Sequence, residues 1–414
     1  MTIGGATRAL APPATARWRS RAWGIVAALA VTETVSWGIL YYAFAVFLIP
    51  MQRELGFSTA QLTGAFSLAL LVSAVAGIAV GRYLDRRSPR GLMTAGSIAG
   101  VALVLAWSQV NDLAALYALW VGIGLVMAIV LYEPAFVVVA KWFPLADERR
   151  RALTTLTLVA ALASFIFLPL GQALIDDYGW RDALIILAAI LALVTVPLHA
   201  IALRHAPDAR PGHRGTERSV AARDALRSLP FWLLSAAFFL GTLTGIAMMV
   251  HAIPFLLERG HGAGFAAFAV GLVGISQIPG RVLFALIAAR LRPDQAIATV
   301  FALVAVGIAV IVGIETTIAA LAGLVLLGMG NGMATLARAT AIADRYGGAA
   351  YGTIGAVAGA GTTIARAAAP VTAAIYATAL GYVALLWTLA GIAGIAAMLA
   401  YRAEHGRSHQ RASV

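Results

Sequence analysis

The chain has 414 residues, 61% of them hydrophobic and 12% charged, with a mean hydropathy of +0.88 and a formal charge of +12. A soluble domain carries roughly a quarter of its residues as charged side chains, so this composition excludes one and points to a polytopic membrane protein. The lack of cysteine excludes disulfide and thiolate chemistry and leaves the redox compartment open.

Residues 1–21 carry Arg8, Arg17, Arg19 and Arg21 without an apolar core of signal-peptide length, so they are expected to form a cytoplasmic tail before an uncleaved span. Apolar runs follow at 22–49, 60–82, 91–110, 114–140, 152–175 and 182–203, then at 229–257, 265–289, 295–314, 317–341, 350–378 and 382–401. Each is close to the roughly 20 residues that cross a bilayer, and an open sheet cannot satisfy its backbone in lipid. The expected fold is all-α integral membrane, with twelve transmembrane helices. The stretch "RHAPDARPGHRGTERSVAARDALRSLP" is rich in Pro, Gly and charge. It reads as a cytoplasmic linker (204–228) between an N-terminal six-helix bundle (22–203) and a C-terminal one (229–402), with 403–414 as a cytoplasmic tail.

Of the 30 Lys and Arg, three (Arg53, Arg181, Arg259) fall in odd-numbered loops and three (Arg281, Arg338, Arg366) inside spans. The rest lie in the tails and the even-numbered loops. This positive-inside bias places both ends in the cytoplasm, in a cytoplasmic (inner) membrane, and assigns the basic excess to topology and anionic lipid. No basic face is built for a duplex, so nucleic acid is not expected as a partner. The halves also repeat: Pro50 and Gly56 return as Pro254 and Gly260, Pro89 as Pro293, Pro169 as Pro370, and the "GW" at 179 as the "GY" at 381. Duplicated halves of this kind are common in transporters.

A charge at the bilayer centre costs roughly 2.5 to 3.5 kcal/mol, so Glu33, Glu133, Arg281, Arg338 and Arg366 stand out. Three arginines against two glutamates favour an anion over a cation. Arg281 and Arg366 fall nearest the midplane, and a guanidinium fork matches a carboxylate. The alternative for each is a structural pair with a glutamate. Glu33 is a candidate proton carrier or, alternatively, a partner of an arginine. Glu133 and Arg338 sit at near-equivalent repeat positions and are expected to pair between the halves, Arg338 in gating and Glu133 with a secondary claim on proton coupling. His251 is a candidate proton relay, with a satisfied structural histidine as the stronger reading. Trp37, Tyr41, Tyr42 and Tyr132 are candidates for a cavity wall, although aromatics in spans more often pack. The 41 glycines read as close helix contacts.

The loop after the second span reads "GRYLDRRSPR", a glycine, an acceptor carboxylate and surface arginines suited to a breakable latch. It resembles the signature of the major facilitator superfamily, G-x-x-x-D-R-x-G-x-R. Gly81, Asp85, Arg86 and Arg90 match, and Ser88 replaces the second glycine. With the twelve spans, the linker and the half-repeat, the resemblance covers nearly the whole chain. In the second half, Ala285 and Ala289 stand where the motif's Gly and Asp would fall.

The stretches "VLYEPAFVVVAKWFPLADERRRAL", "GWR" and "PGRVLFALIAAR" resemble the monocarboxylate and oxalate/formate transporter branches. That resemblance implies a helix-eight arginine, here Arg281, on a substrate carboxylate and a helix-eleven cation, here Arg366, in exchange. Gln277 stands where the monocarboxylate pattern has an aspartate one turn before the arginine, and it joins the candidate substrate site. The fourth-span arginine of proton-driven relatives and the fifth-span Gly-Pro of drug exporters are both missing, which weakens a drug/proton antiporter.

The expected function is secondary active transport of a small organic anion by alternating access, proton-coupled or by exchange. A drug or other small-molecule exporter of the same fold is one alternative, and a membrane-embedded sensor is another. HExxH, GxSxG and Walker signatures are absent, so no enzyme is expected. Neither a cofactor nor a metal is expected; the partners are the anion, protons and the bilayer, around a monomer.

Overall fold

The computed structural model describes residues 14–203 and 220–412, and they contain no strand. Among the described residues ten helices are long and apolar enough to cross a membrane, and two of these, at 146–202 and 351–403, are long enough to cross twice. Each of the two reverses at a glycine, Gly179 (φ 79°) and Gly381 (φ 82°), in a conformation that a Cβ would strain. The ten runs therefore make twelve crossings, and the repeated "GW" and "GY" mark the two reversals.

In chain order α1 is Ala14–Trp37, continued through a π turn at Gly38–Tyr42 into Ala43–Leu55. Next come α2 (Thr59–Arg86), α3 (Pro89–Trp107) and α4, which is Leu113–Val130 joined across Leu131 to Tyr132–Trp142. α5 covers 146–178 and α6 180–202. The second half holds α7 (Leu229–Glu258), α8 (Ala263–Arg290), α9 (Pro293–Gly313), α10 (Thr317–Tyr346), α11 (351–380) and α12 (382–412). Ser58, Asp112 and Thr316 cap α2, α4 and α10 through side-chain oxygens, and left-handed Gly56 and Gly260 follow α1 and α7.

Residues 1–13, 204–219 and 413–414, with most of the expected linker and parts of both tails, lie outside the described residues. Where the tails are described they are helical. α1 begins at Ala14 rather than 22, and α12 runs on to Ala412, because neither described flank holds a proline and Gly406 alone does not end the second. The end of the linker forms a short helix, Ala222–Arg227.

Six crossings in each half return the start of α1, the end of α6, the start of α7 and the end of α12 to one face, called here the linker face. Small residues let helices approach closely. A Cβ on Gly280 would meet Met329 backbone at 2.7 Å, one on Gly328 would meet Val273 backbone at 2.5 Å, and one on Gly332 would meet Gln277 Cα at 2.7 Å, so α8 and α10 cross nearly backbone to backbone.

The apolar core shows how the bundles meet. Toward the linker face one core joins both halves, with Leu84, Phe136 and Leu153 packed together with Phe231, Phe284, Met333 and Ile354. Toward the opposite face the core divides into two. One part is built from buried residues of α1 to α6, such as Phe47, Trp107 and Trp120, and the other from α7 to α12, such as Met248, Phe255 and Leu386. The molecule is therefore closed at the linker face and parted at the other.

Candidate transport site and gate

Glu33 and Trp37 are four residues apart on α1 and so share one helix face. Trp37 Nε1 donates to Glu33 Oε2 at 3.1 Å. Glu33 is fully buried, and its Oε1 makes no hydrogen bond. The π turn directly after Trp37 carries Tyr41 and Tyr42, whose rings lie 5.0 and 6.3 Å from the indole. Tyr132 opens the second part of α4 and lies 5.0 Å from the same indole. All four rings are half-buried, so they form a wall with one side open.

Arg366 of α11 completes the group, its guanidinium 5.9 Å from the rings of both Trp37 and Tyr41, within cation–π range. Tyr42 and Tyr132 feel the charges of both Arg366 and Arg281. Arg281 is buried at 5% exposure; its Nη1 donates to the Thr157 carbonyl of α5, across the bundle boundary, and its Nε makes no hydrogen bond. Neither arginine forms an ion pair among the described residues, so neither is held by a glutamate. Gln277 is half-buried one turn before Arg281, where its backbone meets Gly332, and its side chain makes no hydrogen bond among the described residues.

A second group of polar contacts lies nearer the linker face and joins the halves. Arg338 Nη2 bonds Glu133 Oε1 at 2.6 Å, and Gly359 leaves room for the pair, since a Cβ there would sit 2.7 Å from that oxygen. Asp85 accepts three hydrogen bonds from the start of α11: the Gly352 N–H (2.7 Å), the Thr353 N–H (2.8 Å) and the Thr353 hydroxyl (2.5 Å). A carboxylate there meets unpaired amides and the positive end of the helix dipole. Gly81 allows it, because a Cβ at that position would overlap the Gly352 carbonyl. Lys141 Nζ donates to the Leu84 and Asp85 carbonyls at the end of α2. Arg149, 1% exposed, bonds Asp344 of α10 at 2.5 Å as well as the Pro144 carbonyl at 2.9 Å, and Arg150 reaches the Ala288 carbonyl of α8 at 3.3 Å. Arg86 and Arg90 are exposed and take no part in these bonds.

On the opposite face the bonds found among the described residues stay within bundles. Glu54 accepts from Trp180 (2.5 Å) and Arg181 (2.8 Å), and Arg259 pairs with Glu315.

The sequence profile of the Major Facilitator Superfamily matches residues 34–370. The chain belongs to that family. Among curated relatives it is 25% identical to the oxalate:formate antiporter of Oxalobacter formigenes over 298 residues, covering 70% of this chain and 68% of the relative. It is 26% identical to monocarboxylate transporter 12-B of Danio rerio over 297 residues, 63% of this chain and 60% of the relative. Among solved structures, the superfamily transporter FucP in its outward conformation superposes with a TM-score of 0.72 at 14% identity, over 91% of this chain and 98% of that one. The human organic anion transporter MFSD10 gives 0.65 at 16%, over 94% and 100%. These superpositions show the fold.

Within this superfamily fold, His251 stands apart from the central group. Its Nε2 donates to the Pro370 carbonyl at 3.2 Å and its ring lies 5.9 Å from Tyr382, so it ties α7 to α11 and α12 rather than reaching Glu33. The buried histidine that joins three helices of the first bundle is His199, which bonds Ser97 Oγ at 2.7 Å through Nδ1 and Thr32 Oγ1 at 3.1 Å through Nε2. The sequence reading missed it, along with Lys141, Arg149, Asp344, Thr157 and Thr353. Its signal was a histidine inside an otherwise apolar span. The run "ADERRRAL" carried the signal for Arg149, but its partner Asp344 is 195 positions away.

Proposed function

We propose that the chain is a secondary active transporter of small organic anions, mono- or dicarboxylates. One observation carries the reading: Arg366 faces Trp37 and Tyr41 in a half-open wall that Tyr42 and Tyr132 extend, Arg281 is buried in the same membrane interior, and neither arginine has a carboxylate partner among the described residues. Aromatic rings hold the apolar part of an organic acid, and a guanidinium fork takes its carboxylate. Relatives named as oxalate:formate and monocarboxylate transporters support the same class. Glu33 is the proton-carrying group, and Glu133–Arg338 with the Asp85 latch forms the gate. The linker face is the cytoplasmic face of an inner membrane, as the positive-inside bias supports.

The test is counterflow in proteoliposomes across lactate, pyruvate, oxalate, aromatic acids and cationic dyes. Carboxylates are expected to drive counterflow and dyes to be inert; counterflow by dyes alone would overturn the reading. Ala349, exposed on the linker face, offers a labelling site in this cysteine-free chain. Its cysteine variant is expected to resist an impermeant reagent applied outside intact cells.

A further inference from the structure

Trp37 touches both charges of the central site. Its indole N–H holds Glu33 Oε2 at 3.1 Å, while its ring, with that of Tyr41, faces Arg366 at 5.9 Å. Each charge is otherwise weakly satisfied. Glu33 is fully buried with Oε1 unbonded, and Arg366 makes no hydrogen bond among the described residues. We propose that Trp37 is the positioning residue that couples the two, so that an anion on Arg366 and a proton on Glu33 favour one another's binding. The inference rests on the anion-transport reading and assigns its coupling step.

The physical basis is the two ends of one rigid side chain. With no anion present, the guanidinium over the indole draws electron density from the ring and strengthens its N–H as a donor, which favours an ionised Glu33. A substrate carboxylate neutralises Arg366 and draws it toward itself. Glu33 is then left with one ordinary N–H, in a position where an ionised carboxylate without a charged partner is costly. A hydronium ion from the aqueous side gives its proton to Glu33, so one O–H bond breaks in the donor, releasing water, as one forms on the carboxylate. Linkage requires the reverse as well: a protonated Glu33 leaves Arg366 to the anion.

Other groups face Glu33 from the surrounding helices. Glu133 adds a like charge from α4, and Tyr132 lies on the same helix within reach. Arg281 of α8 acts on Tyr132. From α6, His199 bonds the neighbouring Thr32, and α5 meets α1 through the Val159 carbonyl, which accepts from Thr34 Oγ1 at 3.2 Å. None of these touches both Glu33 and Arg366, as Trp37 does.

The experiment measures oxalate and lactate affinity by titration calorimetry on the purified full chain, from mildly acid to neutral pH, with melting temperature alongside. Full linkage to one proton makes Kd fall about tenfold per pH unit on acidification. Trp37→Phe keeps a ring under Arg366 and removes the N–H, so the slope of log Kd against pH is expected to drop to half or less. Glu33→Gln, which keeps an acceptor oxygen but cannot carry the proton, is expected to flatten it. Trp37→Met, flexible enough to fill the space, replaces Trp37→Phe if that variant is unstable. A merely structural Trp37 would weaken binding equally at every pH and leave the slope in place. A wild-type slope retained in the Trp37 variant, or no slope in the wild type, overturns the coupling role and leaves the anion reading standing. Wild type that binds neither oxalate nor lactate at any pH overturns both.

Discussion

The Asp85 latch yields the most direct prediction, because the three hydrogen bonds its side chain accepts all cross between the bundles. Three donors from the first turn of α11 converge on its two oxygens, at 2.7, 2.8 and 2.5 Å. Asp85→Asn keeps one acceptor oxygen, turns an amide NH2 toward the remaining donors and removes the charge from the helix terminus. Losing a charge-assisted hydrogen bond costs roughly 1.5 to 3 kcal/mol. The equilibrium between states closed and open at the linker face should therefore shift by about tenfold to a hundredfold or more. The chain has no cysteine, so Ser88→Cys and Ala349→Cys, both exposed and on opposite bundles, can carry spin labels; Ser88 makes no side-chain cap bond that would be lost. Pulsed dipolar spectroscopy should show one short distance in the otherwise wild-type chain and a second, longer population in Asp85→Asn. Transport should slow with little change in melting temperature. An unchanged distance distribution would refute the gating role, because no other consequence of the substitution depends on the bundles separating.

Further expectations follow from the same geometry. Arg281→Gln should weaken oxalate or lactate binding by about ten- to a hundredfold or more, from the same 1.5 to 3 kcal/mol, with Arg281→Lys between it and wild type; unchanged affinity in a folded Arg281→Gln chain would remove it from the site. Charge reversal at either Glu133 or Arg338 should cut transport and yield, since it sets two like charges together at a partly buried site, with about 3 to 5 kcal/mol for a fully buried pair as the upper bound, and the exchanged pair Glu133→Arg with Arg338→Glu should recover part of the loss. A double variant no better than the singles would mean that each residue acts on something other than its partner. His199→Leu leaves Ser97 Oγ without its partner at a position 2% exposed, so a loss of about 1 to 3 kcal/mol should appear as a lower melting temperature; no loss of stability would show that the histidine does not pin α1, α3 and α6.

The twelve crossings were legible because each is a run of apolar residues bounded by a glycine, a proline or a charged loop. The two hidden reversals were legible because Gly179 and Gly381 recur at matching places. The ends of α1 and α12 were not, since polar helix continuing past the bilayer leaves no break in composition. The motif pointed to Asp85, yet nothing in the sequence pointed to its partners, because two of the three donors are main-chain amides of Gly352 and Thr353, a bond type open to any residue. The same holds for Arg281. Composition called for a buried partner and suggested a glutamate or a substrate, whereas the one hydrogen bond it makes among the described residues goes to the Thr157 carbonyl. Side-chain pairs with complementary charge, such as Glu133 and Arg338, could be anticipated from repeat position, but backbone acceptors could not.

The half-repeat also conceals an asymmetry that bears on the transport cycle. A symmetric duplication would place a latch at the ends of both α2 and α8, but the second copy has Ala285 and Ala289 where the first has Gly81 and Asp85. The carboxylate latch is consequently present in one copy only, and the linker face is held besides by Arg149–Asp344, Arg150 to the Ala288 carbonyl and the Glu133–Arg338 pair. At the opposite face, the Glu54–Arg181 and Arg259–Glu315 pairs stiffen each bundle without joining them. Opening the linker face thus breaks several charge-assisted contacts together. A ligand can shift such an equilibrium only by its differential affinity for the two states, and moving it from 1:99 to 99:1 takes about 5.5 kcal/mol. Arg281 is placed to contribute part of that difference. It already bonds α5 across the bundle boundary, so on the proposed anion-transport reading a carboxylate that drew its guanidinium away from the Thr157 carbonyl would loosen one inter-bundle contact in the act of binding.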